Sequence, residues 1–294
     1  MDTTRAARQR RLLAEGLVFP EGPRWRGDRL WFSDMYAGEV WTIDLQGRTE
    51  RIARFDDHTA GLGFLPDGDL LVVLKQTQRI MRIGGAGIEQ HADLRPLGGN
   101  HLNDMVVDEA GRAYVDVRIN PPNYSQLPAE TTEAAEDFIV CVAPSGGWDV
   151  VARGLLTPNG LAIGPTGTRF VVAETRGCRL TEYRRDPATG GLNGGRVLAD
   201  LAGVRPDGIC LDSEGAVWIG SPNTAQFVRV LPSGAIAESI ATPGKLALAC
   251  ALGGPERRTL FLMTAITTPQ ELAQDRAKGF VEVTQVEVPG AGIP

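Results

Sequence analysis

A short pattern of strands and turns repeats six times along the 294-residue chain, and this repetition constrains the fold more than any other feature. Each copy opens with a short apolar strand, passes a tight turn containing Gly or Asp, and continues with a second apolar strand. The six second strands cover residues 30–32, 70–73, 113–115, 170–172, 217–219 and 260–262. Repeats of roughly 40–55 residues with four short strands each are typical of a β-propeller. The sequence therefore predicts an all-β, six-bladed β-propeller.

The sixth copy runs out of chain near Val288, before a fourth strand can form. The segment 11–14, which reads Arg-Leu-Leu-Ala, has the pattern of the outer strands that precede the other copies. We expect this N-terminal strand to complete the last blade and close the ring, because closure removes an exposed sheet edge. No linker interrupts the repeats, so we predict a single domain over residues 1–294. Residues 118–137 form an insertion that we predict to be a lid.

Composition and charge exclude several classes of function. The chain is 43% hydrophobic and 22% charged, and its net charge of −6 offers no basic surface for nucleic acid. No apolar run approaches the ~18 residues needed to cross a membrane, and residues 1–11 lack the apolar region of a secretory signal. The four widely spaced cysteines are predicted to be free thiols. We expect a cytoplasmic protein that acts on a small molecule, with no nucleic-acid or membrane partner and an oligomeric state left open.

Side-chain oxygens recur at the start of the innermost strand of four copies. The six equivalent positions are Glu21, Ala60, Asn103, Asn159, Asp207 and Ala249. Innermost strands line the central channel of a propeller, so we expect the four polar residues to meet at one mouth. Asn and Asp before Gly also favour turns, but that preference does not account for Glu21. An all-oxygen set suits a hard divalent cation such as Ca²⁺, Mg²⁺ or Mn²⁺, which polarises carbonyl groups and acidifies water.

Four short motifs surround these residues: Phe-Pro-Glu-Gly-Pro at 19–23, Leu-Asn-Asp at 102–104, Pro-Asn-Gly at 158–160 and Arg-Pro-Asp-Gly at 205–208. Together they resemble the SMP-30/gluconolactonase/luciferin-regenerating enzyme family, and the resemblance spans nearly the whole chain. It implies that Glu21, Asn159 and Asp207 hold one divalent cation. We expect this cation to be Ca²⁺, with Mg²⁺, Mn²⁺ or Zn²⁺ as alternatives. The resemblance also implies that Asp207 is the general base, that Asn103 contacts metal or substrate, and that the usual reaction opens a lactone to a hydroxy acid.

The residues around this set depart from the family pattern. Some members that act on sugar lactones carry Arg where this chain has His101, which we interpret as a pocket-lining residue or a proton carrier. Asp116 and Arg118 either line the channel below the cation or pair with each other. We predict that Asn103, His101, Asp116 and Arg118 bind the substrate. Two alternatives remain open: a phosphotriesterase-like hydrolase or a lyase on the same site, and a non-catalytic binding propeller in which the cation is structural.

Overall fold

The computed structural model describes residues 8–98, 101–119, 137–274 and 276–291, and these residues form six four-stranded antiparallel sheets. The sheets are arranged as the blades of a β-propeller, which confirms the predicted fold class. In blades 1 to 5, each sheet is built from four strands that are consecutive in the sequence, ordered from the centre outward. This order follows from the short turns, which allow only neighbouring strands to pair.

The first three blades contain strands β2 to β13. Blade 1 consists of β2 (Pro20–Arg26), β3 (Arg29–Asp34), β4 (Glu39–Ile43) and β5 (Thr49–Arg54). Blade 2 consists of β6 (Thr59–Phe64), β7 (Leu70–Leu74), β8 (Arg79–Gly84) and β9 (Gly87–Asp93). Blade 3 consists of β10 (His101–Val107), β11 (Ala113–Arg118), β12 (Asp137–Val142) and β13 (Trp148–Leu155).

The other three blades complete the ring. Blade 4 consists of β14 (Pro158–Ile163), β15 (Arg169–Glu174), β16 (Arg179–Arg185) and β17 (Leu192–Asp200). Blade 5 consists of β18 (Ile209–Leu211), β19 (Val217–Ser221), β20 (Gln226–Val230) and β21 (Ile236–Ala241). Blade 6 consists of β22 (Leu246–Gly253), β23 (Thr259–Ile266), β24 (Lys278–Gln285) and the N-terminal strand β1 (Arg11–Leu17).

The sixth blade joins the two ends of the chain. Strand β1 pairs antiparallel with β24, with Arg11 opposite Val283 and Leu17 opposite Gly279. The side chain of Leu13 is buried in the hydrophobic core, whereas that of Leu12 is exposed. One face of β1 therefore packs against the core while the other faces solvent. The predicted closure of the ring by an N-terminal strand is confirmed.

The continuous apolar runs of the second strands are explained by the stacking of blades. All five residues of β7 are buried, because the strand is covered by a neighbouring blade on each face. Leu70 and Val72 pack in one hydrophobic cluster with Val40 of blade 1, while Leu71 and Val73 belong to the large central cluster. Alternate residues of one strand thus bind the blade to different neighbours.

Little of the described chain is helical. Two 3₁₀ turns cover Met35–Ala37 and Arg95–Leu97, and the one-turn helix α1 (Pro269–Leu272) lies in a second insertion between β23 and β24. Among the described residues, no helix has the length and apolar character needed to cross a membrane. The predicted lid falls largely on residues 120–136, which lie outside the described residues. The single domain over residues 1–294 and the cytoplasmic location stay predictions.

The cysteines are free, as predicted. Cys141, Cys178 and Cys250 are buried, and Cys210 is half-buried.

Candidate active site

The ladder between the innermost strand and its neighbour is interrupted at the level of the predicted polar residues. The breaks lie between Glu21 and Arg24, Thr59 and Leu62, Leu102 and Met105, Pro158 and Leu161, and Ala247 and Cys250. In blade 5, the strand starts only at Ile209, and Asp207 precedes it. Such irregularities change the direction of side chains and are common beside active sites. Here they release the polar side chains from the regular alternation of the strand.

Glycine follows the polar residue because the inner strands of adjacent blades touch at this point. A Cβ atom on Gly160 would lie 2.6 Å from the carbonyl oxygen of Asp207, and the N–H of Gly160 donates to that oxygen at 3.1 Å. A Cβ atom on Gly208 would lie 2.3 Å from the Cβ of Ala249. Both distances exclude a larger side chain without displacement of backbone. The Asn-Gly and Asp-Gly pairs therefore serve contact between blades.

A chain of hydrogen bonds connects polar residues from four consecutive blades. Lys75 Nζ donates to Asn103 Oδ1 at 2.8 Å, and Asn103 Nδ2 donates to Asn159 Oδ1 at 3.0 Å. Asn159 Nδ2 in turn donates to Asp207 Oδ1, and also to the hydroxyl of Thr175 at 3.2 Å. The structure thus brings together three of the predicted residues, Asn103, Asn159 and Asp207, through direct contacts.

Glu21 interacts electrostatically with this group of residues. Its carboxylate accepts the N–H of Gly22 at 3.2 Å, and it lies close enough to Asp207 and Asp104 for mutual repulsion. Burial, supported by these two carboxylates, raises the pKa of Glu21 well above its usual range. Burial also raises the pKa of Asp207 to about 7, against the lowering effects of Arg118, the Asn159 hydrogen bond and Lys75. The positive charges and hydrogen-bond donors of the protein therefore do not fully offset the cost of ionising the carboxyl groups of Glu21 and Asp207.

The donor set fits a hard divalent cation. Glu21 and Asp207 offer carboxylate oxygens, and Asn103 and Asn159 offer amide oxygens, with no nitrogen or sulfur ligand among the four. Oxygen ligands of this kind suit Ca²⁺ or Mg²⁺, and a divalent charge would relieve the repulsion between the two carboxylates. Within the described residues, no group of three or more His, Cys, Asp and Glu side chains is arranged to hold a metal, and the candidate set here combines two carboxylates with two amides.

Asp116 and Arg118 pair with each other. Arg118 Nε lies 3.4 Å from Asp116 Oδ2 and donates to the carbonyl oxygen of Pro158 at 3.1 Å, while Asp116 Oδ1 accepts the N–H of Asp104. Both side chains are buried. Burial raises the pKa of Asp116 to about 8, and the guanidinium of Arg118 opposes this rise. Of the two alternatives for these residues, the structure contains the ion pair, and the hydrogen bond from Arg118 to Pro158 O joins blade 3 to blade 4.

His101 lies at the start of β10, opposite Arg118 on β11. Its side chain is half-buried. Burial, followed by the charges of Lys75 and Arg118, lowers the pKa of His101. The lowered pKa favours the neutral imidazole, which is compatible with both roles predicted for His101, a pocket-lining residue or a proton carrier.

Lys75 is the residue of this cluster that sequence reasoning missed. Its backbone N–H donates to His58 O at 2.9 Å, as the N–H of Thr175 does to Thr157 O in blade 4, so both residues follow the second strand of their blade. Burial, followed by the charge of Arg118, lowers the pKa of Lys75 to about 8. The available signal is a lysine directly after the apolar run Leu70–Leu74, at the end of a second strand.

Comparison with known proteins identifies the family. The protein-family model described as SMP-30/Gluconolactonase/LRE-like region matches residues 19–266 of the sequence, which include Glu21, Asn103, Asn159 and Asp207. The chain belongs to this family. A relative in the family is a 6-deoxy-6-sulfogluconolactonase from Pseudomonas putida, 27% identical over 289 residues that cover 94% of each chain. Named lactonases among the relatives support an enzymatic role for the chain.

Solved structures show the same fold in other SMP-30/gluconolactonase proteins. A luciferin-regenerating enzyme superposes with a TM-score of 0.80 at 17% identity, covering 97% of each chain. A calcium-binding regucalcin from Agrobacterium tumefaciens superposes with a TM-score of 0.75 at 21% identity, covering 98% of each chain. At these identities the likeness bears on the fold alone.

Proposed function

We propose that the protein is a divalent-metal-dependent lactonase that opens a small lactone to a hydroxy acid. The observation that carries this proposal is the convergence of Glu21, Asn103, Asn159 and Asp207, from four blades, into one all-oxygen group with two poorly compensated carboxylates. The lactonase name of the P. putida relative supports the reaction class. The all-oxygen donor set supports Ca²⁺ as the first candidate, with Mg²⁺, Mn²⁺ and Zn²⁺ as alternatives.

Glu21, Asn159 and Asp207 would hold the cation, and Asn103 lies next to them. When bound, the cation polarises the lactone carbonyl and stabilises the negative charge that develops on its oxygen. The chain of amides fixes the orientation of this set, because each amide of Asn103 and Asn159 accepts at its oxygen and donates from its nitrogen. Asn103 thereby presents a second N–H with which it orients the substrate.

Asp207 is the proposed general base. Its carboxylate takes a proton from water as the water oxygen attacks the carbonyl carbon, and the hydrogen bond from Asn159 holds the acceptor in place. When the ring C–O bond breaks, the proton passes from Asp207 to the departing ring oxygen, which becomes the hydroxyl group of the product. His101 lines the pocket, and the Asp116–Arg118 pair supports Asp104 and moderates the pKa of Asp207. Substrate contacts by these three residues stay predictions.

The test combines metal analysis with an acid-release assay. The purified protein is analysed for bound metal and then offered a panel of lactones in a pH-indicator assay, with and without chelator. We expect acid release that chelation abolishes and Ca²⁺ restores. Hydrolysis of phosphotriesters instead of lactones, or elimination without water uptake, would favour the other enzyme classes. Metal binding without any turnover would favour a non-catalytic binding propeller.

A further inference from the structure

Blade 2 contributes a positively charged lysine to the site instead of an oxygen ligand. The inner-strand position of this blade is Ala60, whose side chain has no polar atom. The polar group from blade 2 is the ammonium of Lys75, whose backbone is fixed by the hydrogen bond to His58 O at 2.9 Å. The ammonium has three donors, and among the described residues its one hydrogen-bond acceptor is Asn103 Oδ1, at 2.8 Å. Two donors therefore remain for a ligand.

Once a divalent metal ion is bound, none of the described carboxylates around the site remains to neutralise the charge of Lys75. Arg24 Nη2 pairs with Asp104 at 3.1 Å, and Arg118 pairs with Asp116, so these four residues balance one another. Among the described residues whose charges act on Lys75, this leaves the carboxylates of Glu21 and Asp207. A divalent cation held by those two carboxylates neutralises both of them. The loaded site then carries one excess positive charge, located on Lys75.

We propose that Lys75 gives the site a preference for lactones that bear an anionic substituent, such as a carboxylate, sulfonate or phosphate. This inference rests on the proposed lactonase function and specifies its substrate class. The ammonium forms an ion pair with the substituent while Asn103 and Asp207 act on the lactone ring. Lysine serves this purpose as a compact point charge, in a site where partial burial strengthens the attraction.

The test uses two substrates that share one ring, γ-butyrolactone and its carboxylated form 5-oxotetrahydrofuran-2-carboxylate. For the Ca²⁺-loaded protein we expect a kcat/KM about tenfold or more in favour of the carboxylated lactone. Lys75→Gln should bring the ratio close to one, and Lys75→Arg should retain most of it. Lys278→Gln makes the same charge change at an exposed position on β24 and should leave the ratio unchanged.

A binding measurement separates this inference from the proposed function. The hydrolysis products, 2-hydroxyglutarate and 4-hydroxybutyrate, are titrated calorimetrically into the Ca²⁺-loaded wild type and Lys75→Gln, after Ca²⁺ binding by each variant has been measured. We expect the wild type to prefer 2-hydroxyglutarate by about tenfold and the variant to lose this preference. If no lactone of the panel is hydrolysed but the preference of the products depends on Lys75, the lactonase proposal fails and the assignment of Lys75 survives.

The assignment of Lys75 would be overturned if the wild type and Lys75→Gln had the same kcat/KM ratio for the two lactones and the same affinity ratio for the two products. The absence of any preference for the anionic ligand in the wild type would overturn it without reference to a variant. If Lys75→Gln does not fold, as judged by thermal denaturation, the wild type is compared in 20 mM and 1 M NaCl. Screening should then reduce the preference for the carboxylated compounds several-fold, and a salt-independent ratio would contradict the ion pair.

Discussion

Asn159 of blade 4 donates a hydrogen bond from Nδ2 to Oδ1 of Asp207 in blade 5. The contact joins two residues 48 positions apart in the chain, and the N–H of Gly160 reinforces it by donating to Asp207 O. Thr175 adds a third link, because its hydroxyl donates to Pro206 O at 2.7 Å while accepting from Asn159. The proposed base is thus held by the neighbouring blade, which makes its geometry sensitive to how the two blades pack.

Replacement of Asp207 should separate function from stability. We expect Asp207→Asn to lower kcat/KM for lactones by at least about a hundredfold, through loss of the base and of a cation ligand. In metal-free protein at pH 7 the same change should leave the melting temperature unchanged or raise it, because burial disfavours the ionised carboxylate. Acid-release kinetics and thermal denaturation measure the two effects. Asp149→Asn, at an exposed position on β13, is the matched control and should change neither. Near-normal turnover with intact metal content would disprove the role of Asp207.

Metal removal should destabilise the wild type by mass action. A cation that binds only the folded state adds about 2.7 kcal/mol to the free energy of unfolding at a concentration of 100 times its Kd. We therefore expect chelator to lower the melting temperature and Ca²⁺ to restore it. In Glu21→Gln this response should be strongly reduced, because one of the two carboxylates that attract the cation is lost. A Ca²⁺-induced shift in Glu21→Gln equal to that of the wild type would place the cation elsewhere.

Gly160 should tolerate no side chain. In Gly160→Ala the added methyl group would meet Asp207 O and Ile209 N at 2.6 Å, so the backbones of blades 4 and 5 must separate. We expect a loss of about 1–3 kcal/mol in the free energy of unfolding, together with reduced turnover. Gly85→Ala is the control, since a Cβ atom there meets nothing within 4 Å. Equal stability of the two variants in urea denaturation would refute the tight contact between the blades.

Two adjacent leucines test the closure of the ring. Leu13 is 8% exposed and packs in the central core, whereas Leu12 is 47% exposed on the same strand. Leu13→Ala should lower the free energy of unfolding by about 2–4 kcal/mol, because it leaves a cavity where β1 meets the core. Leu12→Ala should cost less than about 0.5 kcal/mol. Similar costs in denaturant titrations would show that β1 does not anchor the sixth blade in solution.

The number of blades, the closure by β1 and the positions of Glu21, Asn103, Asn159 and Asp207 were all accessible from the sequence. These features depend on local information: apolar runs separated by turn residues, repeated at a regular interval, with a polar residue at one position of the repeat. The missing fourth strand of the last copy predicted the partner of β24 for the same reason, because a sheet edge in a closed ring needs a strand.

The tertiary structure alone decided which other groups face these residues. Lys75 enters the site from the end of a second strand, and Thr175, at the same position in blade 4, bonds to Asn159. The pairing of Asp116 with Arg118 likewise became visible only in the folded chain. The physical reason is that a repeat specifies where each strand starts and ends, whereas contacts across the channel depend on how neighbouring blades pack. The sequence by itself determined the ring and its four oxygen-bearing residues, and the packing of the blades decided that a lysine would lie among them.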